Sequence, residues 1–233
     1  MSLMRVENIV KTYGAGDAAV KALDGIAFHI ARGEFVAVMG ESGSGKSTLL
    51  SVLGAMNTPN SGRYFVDDID IYGLDVEQRA DFRREYLGFI FQSFHLMPYL
   101  TVLENVMLPL VTLPLPRARK QDMAREALSA VGLADKERRL PTHLSGGEKE
   151  RAAVARAIVN HPPILLADEP TGNLDSRNTG EVMELLGRLH SGGGTVVMVT
   201  HSRGCAAYAQ RTIALRDGRL IGDRGGAEVC QAA

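Results

Sequence analysis

The sequence has little of what a disulfide-stabilised, nucleic-acid-binding or membrane-spanning protein needs. Its 233 residues include only two cysteines, Cys205 and Cys230, too few for a disulfide framework, and we interpret both as reduced thiols. The formal net charge of -1 provides no basic field for nucleic acid. The most apolar stretch, residues 105–116, is interrupted by three prolines and is shorter than the ~18 apolar residues of a membrane helix. Any membrane role must therefore come through a partner.

Hydrophobic periodicity predicts an α/β fold with a substantial core, as expected for a chain that is 45% hydrophobic. Apolar and polar residues alternate near the N-terminus, which predicts half-buried strands, and later short apolar runs predict buried strands. Between about Ser93 and Leu144 the strand signals give way to helical periodicity, which predicts an inserted helical subdomain. The predicted strands are residues 5–13, 20–30, 35–40, 87–92, 164–169 and 195–201, together with a short strand pair at 62–73 and a hairpin at 211–222.

A phosphate-binding loop is predicted at residues 40–47, GESGSGKS, which match G-x-x-x-x-G-K-[ST]. We call these residues the phosphate loop. A buried strand precedes it and a helix follows it, which is the context that the motif requires. Its glycines allow successive backbone N–H groups to point at phosphates. Lys46 is predicted to reach the β- and γ-phosphates, and Ser47 to bind Mg²⁺.

Polar side chains end several of the predicted buried strands. Asp168 and Glu169 end one strand, where Asp168 is the candidate magnesium partner and Glu169 the candidate base that orients the attacking water. Gln92 and His201 end two others, and Asp175 lies in the turn that follows Glu169. Each of these last three fits a structural role when taken alone. In parallel α/β sheets, however, ligands lie at the carboxyl ends of strands.

A second anion-binding segment lies far from the first. Residues 144–148, LSGGE, which we call the signature segment, form a predicted small turn at Ser145, Gly146 and Gly147, followed by a helix beginning near Glu148. Backbone N–H groups at such a helix start favour an anion. The charged run at 148–151 is interpreted as the solvated face of that helix.

These motifs, in this order, resemble the ATPase subunit of an ABC transporter over about residues 4–223. The resemblance implies a P-loop NTPase core with a mainly parallel sheet, an N-terminal antiparallel β subdomain and an inserted helical subdomain. It implies one ATPase domain at 4–223, with the core and β subdomain at 4–92 and 160–223, the helical subdomain at 93–159, and a tail at 224–233. The signature segment departs from the commonest pattern, which has Gln where this chain has Glu148.

The resemblance also assigns roles to individual residues. It implies that two subunits pack head to tail on ATP and Mg²⁺, with each signature segment capping the nucleotide of the other subunit. The implied catalytic residues are Glu169, His201, Gln92 and Lys46, and the implied metal-binding residues are Ser47, Gln92 and Asp168. Tyr13 is implied to stack on adenine. The implied nucleotide-binding residues are Tyr13, Gly40, Glu41, Ser42, Gly43, Ser44, Gly45, Lys46, Ser47, Thr48, Ser145, Gly146, Gly147 and Asp175.

The branch of the family that this chain most resembles is the lipoprotein-release and macrolide-export branch. That resemblance implies a homodimeric motor on the cytoplasmic face of the inner membrane, driving separate transmembrane permease subunits for export or extraction of lipoprotein, peptide or macrolide-type cargo. Phe94, Leu96, Met97 and Tyr99 are either a groove for the permease or subdomain core. A division-linked or regulatory ATPase that does not transport is the alternative. No direct nucleic-acid partner is expected, because the chain has no second cassette, zinc cysteines or basic arm.

Overall fold

The computed structural model of the protein describes residues 2–225 and contains two β-sheets and a layer of helices. The predicted tail at 224–233 therefore lies almost entirely outside the described residues. The strands are β1 Ser2–Tyr13, β2 Val20–Ala31, β3 Phe35–Met39, β4 Ser61–Val66, β5 Ile69–Asp70, β6 Leu87–Ile90, β7 Ile164–Asp168, β8 Thr195–Thr200, β9 Arg211–Arg216 and β10 Arg219–Gly225. The helices are α1 Lys46–Leu53, α2 Val76–Tyr86, α3 Val102–Met107, α4 Arg117–Ala130, α5 Gly146–Ile158, α6 Ser176–Ser191 and α7 Arg203–Ala206.

The larger sheet has six strands in the order β10-β9-β3-β8-β7-β6. Its strands from β9 to β6 pair in parallel, and only β10 is antiparallel, since it forms a hairpin with β9. The carboxyl ends of β3, β6, β7 and β8 consequently lie along one edge of the sheet, where the phosphate loop, Gln92, Glu169 and His201 follow them directly. The smaller sheet, in the order β2-β1-β4-β5, is antiparallel throughout.

The larger sheet separates two hydrophobic cores because successive side chains of a strand point to opposite faces. In β3, Phe35 and Ala37 pack with α3, α4, α5 and α6, whereas Val36 and Val38 pack with α1 and the smaller sheet. β7 and β8 alternate in the same way, so these strands are apolar on both faces. That is why they read as continuous apolar runs in the sequence. The predicted fold class is confirmed.

The helical layer also agrees with the predicted pattern, since residues 91–163, all of which are described, contain no strand. Two short 3-10 helices, Ala134–Lys136 and Pro141–His143, connect α4 to α5. The division of the chain into a core at 4–92 and 160–223 and a helical subdomain at 93–159 stays a prediction.

The run at 148–151 is not simply a solvated helix face, and that interpretation was wrong for Glu150. Glu150 is 1% exposed, and its Oε1 has no hydrogen-bond partner among the described residues 2–225. Burial raises the pKa of Glu150 to about 8, although the positive charge of Arg156 opposes the increase. The helical period places every third or fourth residue of α5 on the face packed into the core, and Glu150 falls between Gly147 and Val154 on that face.

We expect Glu150→Gln to stabilise the protein increasingly as the pH rises. The pKa of Glu150 rises on folding from its ordinary 4.5, so the folded state retains a proton that the unfolded state loses. The free energy of unfolding therefore falls with rising pH between about 4.5 and 8, by a few kcal/mol at most. Thermal melts at pH 5 and pH 8.5 measure this. The melting temperature of the variant should exceed that of the parent more at pH 8.5, whereas Glu184→Gln, an exposed control on α6, should show no such trend.

Candidate nucleotide-binding site

The phosphate loop connects β3 to α1, and the packing around it requires two of its glycines. Gly45 has a left-handed φ of 100°, and a Cβ there would lie 2.4 Å from the carbonyl oxygen of Ala22. A Cβ at Gly40 would lie 2.3 Å from the carbonyl oxygen of Leu215. Gly45 is also the N-cap of α1 and has no side chain to satisfy the first backbone N–H groups of the helix. Those donors remain free for an anion.

The Lys46 side chain folds back onto the first residues of the phosphate loop. Its side chain is largely buried, and its ammonium donates to the carbonyl oxygens of Gly40 and Glu41, both at 2.8 Å. A lysine ammonium has three donors, so these two bonds leave one for a phosphate. The buried positive charge and the free helix N–H groups act on the same small volume, which suits a polyphosphate.

Ser47 and Asp168 meet across the sheet edge, although they are far apart in the sequence. The Ser47 hydroxyl donates to Asp168 Oδ1 at 3.2 Å. Burial, aided by the negative charge of Glu169, raises the pKa of Asp168, while the Ser47 bond and Lys46 oppose that shift. A hydroxyl and a carboxylate are hard oxygen ligands of the kind Mg²⁺ prefers. The described residues contain no group of three or more His, Cys, Asp or Glu able to hold a metal, so a cation here would need phosphate oxygens as well.

Glu169 and His201 form a hydrogen-bonded pair at the ends of β7 and β8. The Nδ1 atom of His201 lies 3.0 Å from each carboxylate oxygen of Glu169. Glu169 has a left-handed φ of 45°, an uncommon conformation for this residue type, and its N–H donates to the Val199 carbonyl at 3.0 Å. Strained backbone is concentrated at functional sites. Here the turn after β7 holds the carboxylate beside the imidazole.

Gln92 lies beside the turn that follows Glu169. Its backbone carbonyl accepts a hydrogen bond from the Asn173 side chain at 2.9 Å. A Cβ at Gly172 would come within 3.0 Å of the Gln92 side-chain nitrogen. The end of β6 is therefore in contact with the segment that carries the candidate base.

One cleft of about 890 Å³ brings most of the predicted residues together. Gln92, Glu169 and His201 line it with the exposed part of the phosphate loop and Thr48. The predicted residues in its lining are Glu41, Ser42, Gly43, Gly45, Lys46, Ser47, Thr48, Gln92, Glu169 and His201. Gly40 and the largely buried Ser44 belong to the phosphate loop but not to the lining, and they pack against each other behind it. Asp168 adjoins the cleft through its hydrogen bond with Ser47.

Sequence reasoning missed one wall of the cleft, which consists of the start of β2 and the β9–β10 turn. The residues concerned are Val20, Lys21, Ala22, Asp217 and Gly218. The N–H of Gly218 donates to the Ser44 carbonyl at 3.1 Å, which fastens the turn to the phosphate loop. The sequence pattern identifies the Asp-Gly turn itself, but not the parallel pairing of β9 with β3 that brings this turn beside the phosphate loop.

The structure does not bring the signature segment, Asp175 or Tyr13 into the lining of this cleft. Asp175 caps α6 by accepting the Asn178 N–H at 2.8 Å. A Cβ at Gly147 would lie 2.0 Å from Asn178 Oδ1, which shows that the starts of α5 and α6 are packed together. Tyr13 ends β1 and pairs across the smaller sheet with Val20, a lining residue.

The helix after the signature serine begins earlier than predicted. Gly146 and Gly147 are already in α5, and Ser145 is its N-cap, so the expected separate turn before Glu148 was wrong. A reciprocal capping box explains the difference, because Ser145 N–H donates to Glu148 Oε2 at 2.8 Å and Glu148 N–H donates to Ser145 Oγ at 3.2 Å. The first of these bonds is the main reason that the pKa of Glu148 is lowered. Glu148 thus replaces the commoner Gln as a capping residue.

A model of the ABC transporter family matches residues 23–172, more than half of the chain and all of the motifs from the phosphate loop to Glu169. The chain belongs to the ABC transporter family. It is the ATP-binding, ATP-hydrolysing part of such a system, an ABC ATPase. Within residues 2–225, no helix combines the length and apolar character needed to cross a bilayer.

Its relatives include both large and small proteins. The chain is 46% identical over 221 residues to the macrolide export ATP-binding/permease protein MacB of Brucella melitensis, covering 95% of this chain but only 34% of MacB. This chain therefore spans about a third of the length of that relative. It is 44% identical to the ABC transporter ATP-binding protein YvrO of Bacillus subtilis, covering 96% of this chain and 98% of YvrO. These similarities agree with the macrolide-export branch.

Two solved structures resemble this ABC ATPase throughout. The ATP-binding cassette MJ0796, solved as a dimer in a post-hydrolysis state bound to ADP and Pi, matches with a TM-score of 0.88 and 40% identity over 95% of this chain and 98% of that one. CbiO1 of Clostridium perfringens matches with a TM-score of 0.86 and 30% identity over 98% of this chain and 90% of that one.

Proposed function

We propose that the chain is the motor subunit of an exporter or extractor, which dimerises on Mg-ATP and drives a separate membrane permease. The observation that carries this proposal is the separation of the two anion-binding segments. The signature segment begins a helix whose capping box uses the N–H groups of Ser145 and Glu148 and leaves those of Gly146 and Gly147 to a phosphate, yet it lies outside the cleft of its own chain. It therefore has no nucleotide to contact within the chain, and the cleft of a second copy would provide one.

Within the cleft we assign roles by geometry. The phosphate loop and Lys46 hold the polyphosphate, Ser47, Asp168 and Gln92 hold Mg²⁺, and Glu169 orients water with His201. Bound magnesium would neutralise phosphate charge. The Ser145 hydroxyl oxygen accepts the Glu148 N–H of its own subunit. The hydroxyl proton is therefore available to donate to the γ-phosphate bound by the other subunit of the dimer. Asp175 adjoins that contact through Asn178.

The permease would dock beside Gln92, on the segment that joins β6 to α3. Met97 is 50% and Tyr99 91% exposed, whereas Leu96 packs against the helical core, so only part of the predicted set is available to a partner. Asn105, which is fully buried, holds this segment with bonds to Met97 and Leu100. Arg156 holds its beginning by donating to the carbonyl oxygens of Phe94 and His95.

The relatives support a transport role with a permease, and YvrO supports a permease on a separate chain. MacB is named as a macrolide export ATP-binding/permease protein, and YvrO, which this chain covers over 98% of its length, is named as an ATP-binding protein alone. The dimer of MJ0796 supports assembly on nucleotide. On this support we propose that the chain lies at the cytoplasmic face of the cell membrane, bound through the permease, with macrolide-type, peptide or lipoprotein cargo.

Affinity purification of the Glu169→Gln variant tests this proposal. Expressed in its native host and purified from gently solubilised membranes with ATP and magnesium, the variant should retain a permease with few membrane helices and a large external domain. A Lys46→Ala/Glu169→Gln double variant, unable to hold ATP, is the matched control and should recover much less. Recovery of division proteins would support the non-transporting alternative, and recovery of no membrane protein would contradict the transport assignment.

A further inference from the structure

The end of β1 is fastened by the loop at 57–60, which we call the clamp loop and which follows α1. Thr12 N–H donates to the Asn60 side chain at 2.7 Å, and Asn60 N–H donates to the Val10 carbonyl at 2.8 Å. Lys11 reaches the same loop, since its ammonium donates to the Thr58 carbonyl at 2.7 Å. Three successive contacts therefore hold the last residues of the strand immediately before Tyr13.

The Tyr13 side chain is held in the same way. The Lys11 ammonium lies over its ring, 5.2 Å from the centroid, and the side-chain nitrogen of Asn57 donates to its hydroxyl. The ring is nevertheless 44% exposed. With one face beneath an ammonium and the hydroxyl bonded, the ring has a fixed plane and keeps exposed surface on which another flat group can stack.

Asn57 connects this ring to the phosphate-binding helix. Its N–H donates to the Ser51 carbonyl at 3.2 Å, and its side chain contacts the Ser51 hydroxyl at 3.5 Å. Ser51 in turn donates to the Thr48 carbonyl at 2.8 Å, and Thr48 lies in the first turn of α1, two residues after Lys46. The Asn57 carbonyl accepts the Tyr72 hydroxyl at 2.9 Å. A continuous chain of hydrogen bonds thus links the Tyr13 hydroxyl to the first turn of α1.

We propose that Asn57 and Lys11 are positioning residues for base recognition, which fix the Tyr13 ring at a set distance from the phosphate loop so that a purine can stack on it while its phosphates are bound. The proposal rests on the proposed role of Tyr13 as the adenine platform. A free tyrosine side chain must be ordered when a base binds, whereas a clamped ring has already lost that freedom. The clamp therefore affects binding of the base and leaves phosphate binding unchanged.

The test compares a ligand that has a base with one that has none. Dissociation constants of ATP and of inorganic tripolyphosphate, both with magnesium, are measured for the full chain and for Asn57→Ala and Lys11→Met. We expect the Kd for ATP to rise about 3- to 10-fold and that for tripolyphosphate to stay constant. Lys120→Met, which removes a charge on α4 far from Tyr13 in the fold, is the control for net charge.

A double-mutant cycle with Tyr13→Ala separates positioning from folding. Tyr13→Ala alone should raise the Kd for ATP about 10-fold or more without affecting tripolyphosphate, and Asn57→Ala should add nothing in that background. An Asn57→Ala effect that persists in full without Tyr13, or that equally weakens tripolyphosphate, overturns the clamp. If Asn57→Ala unfolds the protein, the double-mutant cycle is measured with Lys11→Met and Tyr13→Ala instead.

Failure of the underlying assignment gives a different result. If Tyr13→Ala leaves the ratio of the ATP and tripolyphosphate Kd values unchanged, Tyr13 is not the base platform, and the clamp proposal falls with it. If Tyr13→Ala changes that ratio but neither Asn57→Ala nor Lys11→Met does, the platform stands and only the clamp is overturned.

Discussion

The ATPase rate of Glu169→Gln is expected to fall about 10²- to 10⁴-fold, with ATP affinity close to that of the parent. The substitution retains the shape of the side chain but removes the negative charge that polarises water. Glu169 makes no hydrogen bond to the phosphate loop, and its carboxylate bonds to His201 at 3.0 Å, so nucleotide binding should not depend on its charge. Phosphate release at saturating ATP, together with equilibrium binding of ATP, measures the two effects separately.

The control for this variant is Glu184→Gln, an exposed glutamate on α6 away from the cleft, which should leave both quantities unchanged. Slow hydrolysis has a further consequence, because undegraded ATP should hold two copies together. Light scattering should therefore detect dimers of Glu169→Gln with ATP and monomers without it. A parent-like rate in Glu169→Gln would exclude the assigned base, and monomers at saturating ATP would argue against the cross-subunit role of the signature segment.

Lys46→Ala is expected to abolish ATP binding at concentrations that saturate the parent. Hydrogen bonds to charged groups contribute about 1.5–3 kcal/mol each, so losing the one donor left for a phosphate should weaken binding by roughly 10- to 150-fold, and loss of the attraction between the ammonium and the phosphate charge adds to this. The bonds from Lys46 to the carbonyl oxygens of Gly40 and Glu41 also hold the loop in shape, so without them the loop should bind phosphate less readily even where other donors remain.

Titration with a fluorescent ATP analogue measures this loss, and circular dichroism establishes that the variant is folded. Lys120→Ala is the matched control, since within residues 2–225 the Lys120 ammonium bonds only the Val111 carbonyl, in the helical layer away from the cleft. A folded Lys46→Ala protein with parent-like affinity would contradict the central place of this lysine in the cleft.

The features that could be predicted from the sequence are those set by neighbouring residues. β3, β7 and β8 are buried on both faces, so their apolar runs identify them without knowledge of the fold. Because the strands are parallel, the residues that follow them gather at one edge, which is why Glu169 and His201 could be assigned to a common site.

The features that could not be predicted depend on contacts between distant segments. The role of Gly218 arises from the pairing of β9 with β3, and a local pattern identifies only its turn. The burial of Glu150 depends on which face of α5 is covered, and a charged residue type argues against burial.

The helix start at Gly146, by contrast, could have been predicted, because Ser145 and Glu148 have the spacing of a capping box.

The β9–β10 turn also bears on how the cleft forms during folding. Gly40 packs against the carbonyl of Leu215, and the Gly218 N–H bonds to the Ser44 carbonyl, so segments far apart in the sequence must meet before the phosphate loop gains this wall. Closing so long a loop costs chain entropy, which only the packing of the intervening elements can offset. The nucleotide-binding cleft is therefore expected to form together with the fold as a whole, and not as a local structure of the phosphate loop.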